Sequence, residues 1–527
     1  MALPKKVSLV TLDLVMGSRI LLSLLNERGC SANLMQVNLR YTDDLTPEDM
    51  ELIYQHVADS DVVGMAFTSI FAPAGRTLGL FLKERGVRNL VVGGSHATAL
   101  PEEVMEYADV AVIYEAEITL PLVLEALGDA GKLAGIKGIH YKIDGKLHAD
   151  RSAPELVWNL DELPFQSLDT EMIRYFDTQK KIYTPEATQL FPKAGSYYML
   201  ASRGCPYSCT YCSNHFYHAM DKRFKRIRKR SVESILTEME QALKIGYEAF
   251  HLIDDHFFAF TMEEIEDFCR QYPRRINRPF LVAGMNPNDF RNASAEAKLK
   301  MLLEAGLTDI RIGIQSGSNR TLAEFRRGYK AEELPALLAV IDRHRATIWP
   351  HPHDRMHVWL DFIADSPWET DQDKQATLEL ALDVLKEYSI NTFTLVYLPG
   401  TELYDRAFKE GWVKDRVRDI YQRGIAGVDD NIFNRLMFLI AVFKERGVTP
   451  ARELIHHLLD VARTDEEKAK GIVTGLLKMV HELEVHHNVD LTHAVSHPYL
   501  AGYTEWTKTS GDVGRKVLFR SYHEAYG

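Results

Sequence analysis

SYYMLASRGCPYSCTYCSN, residues 196–214, runs from a strand-like stretch into a loop that holds three of the chain's five cysteines. Cys205, Cys209 and Cys212 are spaced C-x3-C-x2-C, and a loop that follows a strand places them at that strand's carboxyl end. Three chemistries are open to such a set. Buried free thiols act as small hydrophobes, but the Pro, Tyr, Ser and Thr between these three give no apolar face. Structural zinc takes four protein ligands, usually as paired C-x2-C units, and no second pair follows. Catalytic zinc with three cysteines and a water stays open. Soft thiolates also select iron–sulfur clusters, and a four-iron cluster held by three cysteines leaves one iron for a further ligand. Cys269, alone in EEIEDFCRQYP, reads as core packing.

Downstream of the loop the alternation continues. SYYMLAS (196–202), AFHLID (249–254), FLVAG (280–284), DIRIGI (309–314), HVWLDFI (357–363) and TFTLVY (392–397) read as strands, separated by helical stretches such as SVESILTEMEQALKIG and TLELALDVLKEY. Six such units over residues 191–415 are fewer than the eight of a closed barrel and predict a partial (β/α)6 barrel. Upstream, residues 1–140 alternate VSLVTL, DVVGMAF, NLVVGG and DVAVI with SRILLSLLNERG and RTLGLFLKERG, each of these two helices stopped by a Gly. That pattern predicts an α/β, doubly wound, Rossmann-like sheet, whose ligands lie at the strands' carboxyl ends. Residues 141–190 read as a linker with an Asp-Gly hairpin signal in GIKGIHYKIDGKLHAD, and residues 416–527 as a helical domain.

The 527 residues are 46% hydrophobic and 26% charged, with a net charge of −12. This suits a globular protein of about three domains and gives no electrostatic footprint for nucleic acid. No uncharged apolar run is long enough to cross a bilayer, and the N-terminus lacks a secretory cleavage pattern. Five cysteines, three of them clustered, do not form a disulfide framework, so a reducing cytoplasm is expected.

The string C-x3-C-x-aromatic-C, with Tyr211 as the aromatic, resembles the signature of the radical S-adenosylmethionine (radical SAM) superfamily. FHLIDDHFF (250–258) resembles that family's second-strand segment, and YLPGTELYDRAFKEG (397–411) the segment that closes its barrel. IGIQSGSNRTL (312–322) resembles the fourth-strand segment, with Gln315 where the family usually has Glu. GGSHATALPEEVMEYADVAVIYEAEITLPLVLEAL (93–127) followed by NLDELPFQSLD (159–169) is similar to the cobalamin-binding domain and linker of the cobalamin-dependent members. The resemblance covers residues 1–415.

It implies a [4Fe-4S] cluster on Cys205, Cys209 and Cys212, with S-adenosylmethionine on the open iron. Tyr211 would then meet the adenine through its backbone, Gln315 and Ser316 the ribose or carboxylate, and Asp254 and Asp255 would face the same mouth. Cobalamin would lie against Ser69, Gly93, Gly94, His96 and Thr98. TLDLVMGSRI carries Asp13 and Gly17 but no histidine between them, so no histidine of this loop is expected on cobalt. The implied activity is methyl transfer to an unactivated carbon, or phosphorus, of a small molecule through methylcobalamin and a 5′-deoxyadenosyl radical. Alternatives are oxidative cyclisation or ring contraction with the same cofactors, and a non-catalytic corrinoid or Fe–S binding protein. No side chain is assigned a catalytic role; an external donor of the flavodoxin or ferredoxin type is implied, with no nucleic acid and no membrane as partner.

Local readings stand beside these. Asp254 and Asp255 suit a turn cap, Ser316-Gly317-Ser318 a helix N-cap, the Gly93-Gly94 pair a tight turn, and His96 a bond within its own loop. KRFKRIRKR (222–230) reads as a solvated run, or as a contact for an anionic substrate or electron donor. His351, His353 and His357, and His481, His486 and His487, read as solvated positions. The C-terminal region, with Tyr499, Tyr503 and Trp506, is expected to cover the barrel mouth.

Overall fold

The computed structural model describes residues 6–12, 16–40, 43–185, 196–345, 356–384, 388–423, 427–445 and 449–487. VSLVTL lies in β1 (Lys6–Leu12), whose residues beyond Lys6 are all buried, as a central parallel strand covered on both faces must be. β1 pairs in parallel with β2 (Ser31–Asn38) on one side and β3 (Val62–Phe67) on the other. β4 (Leu90–Gly93) and β5 (Val110–Val112) extend the sheet beyond β3. The strand order therefore reverses between β1 and β3, and crevices at such a reversal take ligands at the strands' carboxyl ends.

The stretch read as a linker builds both edges of this sheet. β6 (Ile139–Ile143) and β7 (Lys146–Ala149) form a hairpin on β5, with Asp144 and Gly145 both at positive φ, as a two-residue primed turn requires. β8 (Ile173–Asp177) adds in parallel to β2, and β9 (Ile182–Thr184) turns back on β8. Bare edges of β5 and β2 would offer unpaired backbone, and these strands cover them. β2 itself, SANLMQVN, is hidden in the sequence by its polar residues, yet Gln36 is buried and accepts from Arg19 Nε at 2.9 Å.

The second sheet runs β10 (Ser196–Met199), β13 (Ala249–Leu252), β14 (Phe280–Met285), β15 (Leu307–Gln315), β16 (His357–Ala364) and β17 (Ser389–Thr394), in that order and all parallel. β10 and β17 remain its edges, so the barrel is open, as six units predict. Alternation sets its two faces: Ile310, Ile312 and Ile314 are buried under the outer helices, while Asp309, Arg311 and Gln315 take the other face. A short ribbon, β11 (Ser202–Arg203) with β12 (Arg228–Lys229), flanks the cysteine loop. The helices Ile432–Glu445, Arg452–Thr464 and Glu466–His487 join the barrel's core through Leu436, Ile440, Ile455, Leu458 and Val473. The last strand ends at Thr394, sooner than TFTLVY suggested. Leu395, Val396 and Tyr397 are apolar because they enter a core shared with Phe67 and Phe71 of the first sheet.

Candidate active site

The two sheets thus turn their carboxyl edges toward each other, and the cysteine loop lies at the seam. Its backbone is pinned from both sides: Thr210 Oγ1 donates to the Glu324 carbonyl at 2.9 Å, and the Leu403 N–H to the Thr210 carbonyl at 3.3 Å. Cys205 and Cys209 are buried, Cys212 partly so. Burial pushes the Cys205 thiol up to about 12 and Cys212 up to about 11, and Cys209 and the Asp255 charge add to both shifts. Thiols whose ionisation is disfavoured in this way need a positive partner. Among the described residues no three His, Cys, Asp or Glu side chains gather on a single ion. A polynuclear cluster, in which each thiolate holds its own iron, makes no such demand.

One cation is already there. Arg327, 6% exposed, donates from Nη1 to Cys209 Sγ at 3.1 Å and to the Tyr211 hydroxyl at 3.2 Å, and from Nη2 to the Gly313 carbonyl at 2.6 Å. Burial works against its charge; Tyr211, Tyr329 and Cys209 outweigh it and raise the pKa further. Its Nε is buried without a hydrogen-bond partner. Nothing in RRGYK separates Arg327 from a surface arginine, so sequence reading missed it. Tyr211, packed edge-on against Phe325 with ring centroids 5.1 Å apart, is thereby fixed beside the cysteines.

The other positions expected at the barrel mouth divide. Asp255 is reached by solvent yet enclosed by protein, and burial raises its pKa against a hydrogen bond from the Asn214 side chain. Gln315 ends β15 with φ of 75°, left-handed backbone that a non-glycine residue adopts at a cost of about 1–3 kcal/mol. Asp254 turns away: it accepts from Ser202 Oγ and from the Ala201 N–H, and burial lifts it to about 7. Ser316 is fully buried, bonded to Thr377 Oγ1 at 3.0 Å and accepting from the Ser318 N–H at 3.1 Å. The N-cap of the helix Asn319–Glu324 is Ser318.

At the first sheet's edge Ser69 and His96 share a hydrogen bond of 3.2 Å. Thr98 Oγ1 donates to the Gly94 carbonyl and accepts from the Tyr114 N–H. All three side chains are buried and spent on the protein itself. Gly94 has φ of 94°, and a side chain there would meet the Phe67 carbonyl at 2.8 Å, so this glycine serves backbone packing. Gly93 and Gly17 are half-buried; a side chain would find open space at Gly17 and ordinary contact with the Val112 carbonyl, 3.7 Å away, at Gly93. Asp13 lies outside the described residues. So do His351, His353, Tyr499, Tyr503, Trp506 and the side chains of His481, His486 and His487, while His357 opens β16, exposed.

Two arginines and two glutamates join the edges. Arg203 reaches Glu117 at 2.7 Å and Glu115 at 3.4 Å, and Arg228 holds Glu115 from its other side. Burial opposes ionisation of Glu115, and Arg228 and Arg203 overcome it, keeping its carboxyl below the usual range.

The radical SAM superfamily description matches residues 199–346. Residues 199–346 are a radical SAM domain. Among curated relatives, the "Uncharacterized methyltransferase PH0819" of Pyrococcus horikoshii is 27% identical over 370 residues, 69% of this chain and 73% of that protein. The cytidylyl-2-hydroxyethylphosphonate methyltransferase of Streptomyces wedmorensis is 24% identical over 366 residues, 64% of this chain and 65% of that one. Beyond the radical SAM domain, 81% of the chain superposes on 57% of the cobalamin-dependent radical SAM enzyme OxsB, solved with aqua-cobalamin and S-adenosylmethionine, at a TM-score of 0.56 and 20% identity. The sheet in front of the radical SAM domain therefore has that enzyme's fold. No helix among the described residues is long and apolar enough to cross a membrane.

Proposed function

We propose that this protein is a cobalamin-dependent radical SAM methyltransferase acting on an unactivated carbon, or a phosphorus, of a small-molecule intermediate. The observation that carries this reading is the three-cysteine loop at the carboxyl end of the first barrel strand, facing the carboxyl edge of a doubly wound sheet. The two curated relatives described above, both named methyltransferases, support it.

When bound, a [4Fe-4S] cluster with S-adenosylmethionine supplies one-electron reduction and a carbon radical, and cobalamin supplies a methyl carrier. Cys205, Cys209 and Cys212 would hold the cluster, and the buried Arg327 charge offsets the negative charge of the three thiolates. Asp255, steadied by Asn214, offers an anionic acceptor suited to an ammonium group. Gln315 and the backbone beside Tyr211 offer neutral polar contacts. On the facing edge the half-exposed backbone at Gly17 and Gly93 lets a bulky flat ligand approach closely, whereas Gly94, Ser69, His96 and Thr98 only shape that surface. Phe67, Phe71 and Tyr397 form the apolar seam that keeps water out. An external donor of the flavodoxin or ferredoxin type supplies electrons. We place the protein in the cytoplasm, where its five unpaired thiols stay reduced, with neither nucleic acid nor membrane as partner.

The reconstituted protein, mixed with S-adenosylmethionine, a reductant and substrate, is expected to release S-adenosylhomocysteine and 5′-deoxyadenosine together. Cys205→Ala should abolish the deoxyadenosine, and undiminished release from that variant would refute the cluster assignment. Deoxyadenosine without S-adenosylhomocysteine would replace methylation by cyclisation or ring contraction.

A further inference from the structure

The basic run KRFKRIRKR holds seven cations, and the fold sorts them. Arg223 pairs with Asp221, Arg228 with Glu115, Lys229 with Glu264 and Arg230 with Glu238. Lys222, Lys225 and Arg226 are exposed and have no ion-pair partner among the described residues. Arg226 lies over the ring of Trp158, itself 43% exposed, at 5.9 Å. The turn therefore carries three free cations, one of them over an exposed indole, on a chain whose net charge is −12.

Its position is specific. Gly204, the residue before Cys205, has φ of 99°, and a side chain on it would stand 2.5 Å from the Arg226 carbonyl and 3.0 Å from that of Phe224. The turn bearing the cations thus rests directly on the backbone of the cysteine loop. Phe224 beneath it stacks on Tyr114 with ring centroids 5.8 Å apart and lies 5.4 Å from Tyr217, so no bulk water separates the patch from the loop. Through Phe224 the turn also packs on Ile113 and Tyr114, just past β5, and on Leu156, while Lys222, Lys225 and Arg226 stay exposed to a body of protein size.

We propose that Lys222, Lys225, Arg226 and Trp158 form the docking surface for an acidic one-electron-donor protein; the proposal rests on the cluster reading above. Each encounter moves one electron: the donor is oxidised by one equivalent, the cluster is reduced by one, and no atom is transferred. Complementary charge at such a surface acts mainly on the association rate. Three isolated cations are a small footprint for nucleic acid, whose affinity grows with the number of phosphates neutralised.

The test compares the reconstituted full-length protein with its K222E/K225E/R226E variant in anaerobic stopped-flow, following bleaching of the cluster absorbance. With reduced flavodoxin at low salt the variant is expected to be slower by about tenfold or more, and to lose the salt dependence of the parent. With reduced methyl viologen, a small cation that needs no docking surface, the variant should be no slower than the parent. An unchanged flavodoxin rate on a normal cluster would overturn the docking surface alone. Failure of the parent protein to show any cluster absorbance would overturn the cluster reading instead. A variant that keeps its flavodoxin rate but loses a gel shift with bulk tRNA would make this a nucleic-acid surface and refute the proposal.

Discussion

At the barrel mouth Asp255 keeps its carboxylate within reach of solvent, Arg327 keeps an unpartnered Nε and Gln315 holds a left-handed backbone. At the facing edge of the first sheet Ser69 bonds to His96, and Thr98 bonds to the backbone on both sides. The named positions at the barrel mouth retain polar capacity, whereas Ser69, His96 and Thr98 have spent theirs on one another and the backbone. A ligand at the barrel mouth would therefore meet charge and hydrogen bonds from side chains. A ligand at the sheet edge would be met by shape, against glycine backbone and buried, internally bonded side chains. That contrast suits a small zwitterion on one side and a large flat ring system on the other.

The sharpest way to break the comparison is at Arg327. A buried guanidinium answered by Tyr211, Tyr329 and a thiol, with no carboxylate in ion-pair contact among the described residues, is a poor stabiliser of the empty protein. Beside three thiolates it becomes complementary. Arg327→Met is therefore expected to lower iron–sulfur affinity by about 10–100-fold, the usual cost of losing a group that orients a metal ligand. The melting temperature of the metal-free protein should hold or rise, and Arg327→Lys should recover part of the iron content. Equal loss of stability with and without iron would make Arg327 an ordinary structural residue.

The seam between the edges comes next. Arg228 is nearly inaccessible, with a side chain 2% exposed, and its partner Glu115 also holds Arg203. Removing one partner of a buried ion pair costs about 3–5 kcal/mol where it leaves the other charge uncompensated; Glu115 keeps Arg203, so the loss here is about 1–3 kcal/mol. Arg228→Met should show this in urea unfolding, with the change concentrated in whichever transition separates the two sheets. A change below about 1 kcal/mol would mean that the apolar core of Phe67, Phe71, Leu395 and Tyr397 alone joins them.

Much of this architecture was legible beforehand, because strand and helix periodicity survives in runs such as VSLVTL and DIRIGI, and because thiols at C-x3-C-x2-C have few uses. What stayed hidden has a common physical cause: spacing reports which residues are near a site, not where their side chains point. Ser316 and Asp254 sit at the strand ends where they were expected, yet turn into the protein toward Thr377 and Ser202. Asp255, next in sequence, turns outward. Arg327 reaches the cysteine loop from more than a hundred residues away, and only the closed chain brings them together. β2 was obscured because polar residues such as Gln36 face neighbouring side chains rather than water.

The gentlest perturbation tests the sheet edge through His96. Burial, with Arg416 nearby, holds its imidazole down at about 4, against an ordinary value of 6.5. Ser69, Phe67, Tyr421 and Glu103 surround the ring, and Glu103, 3.8 Å away, is itself held by Arg416. A depressed pKa means that the unfolded chain binds the proton more tightly. The neutral ring's contribution is therefore complete above pH 6.5, falls as pH drops through the window from 6.5 to about 4, and changes no further below it. Between pH 7.5 and pH 5 the loss amounts to about 2 kcal/mol. His96→Gln keeps a hydrogen-bonding group for Ser69 but cannot titrate, so its urea-unfolding free energy should lose about 2 kcal/mol less than the parent's over that interval. His56 and His251, also held near 4, contribute equally to both proteins and cancel. An identical pH slope in the two would mean that protons reach His96 in the folded protein, and that the sheet edge is more open than its internal bonds imply.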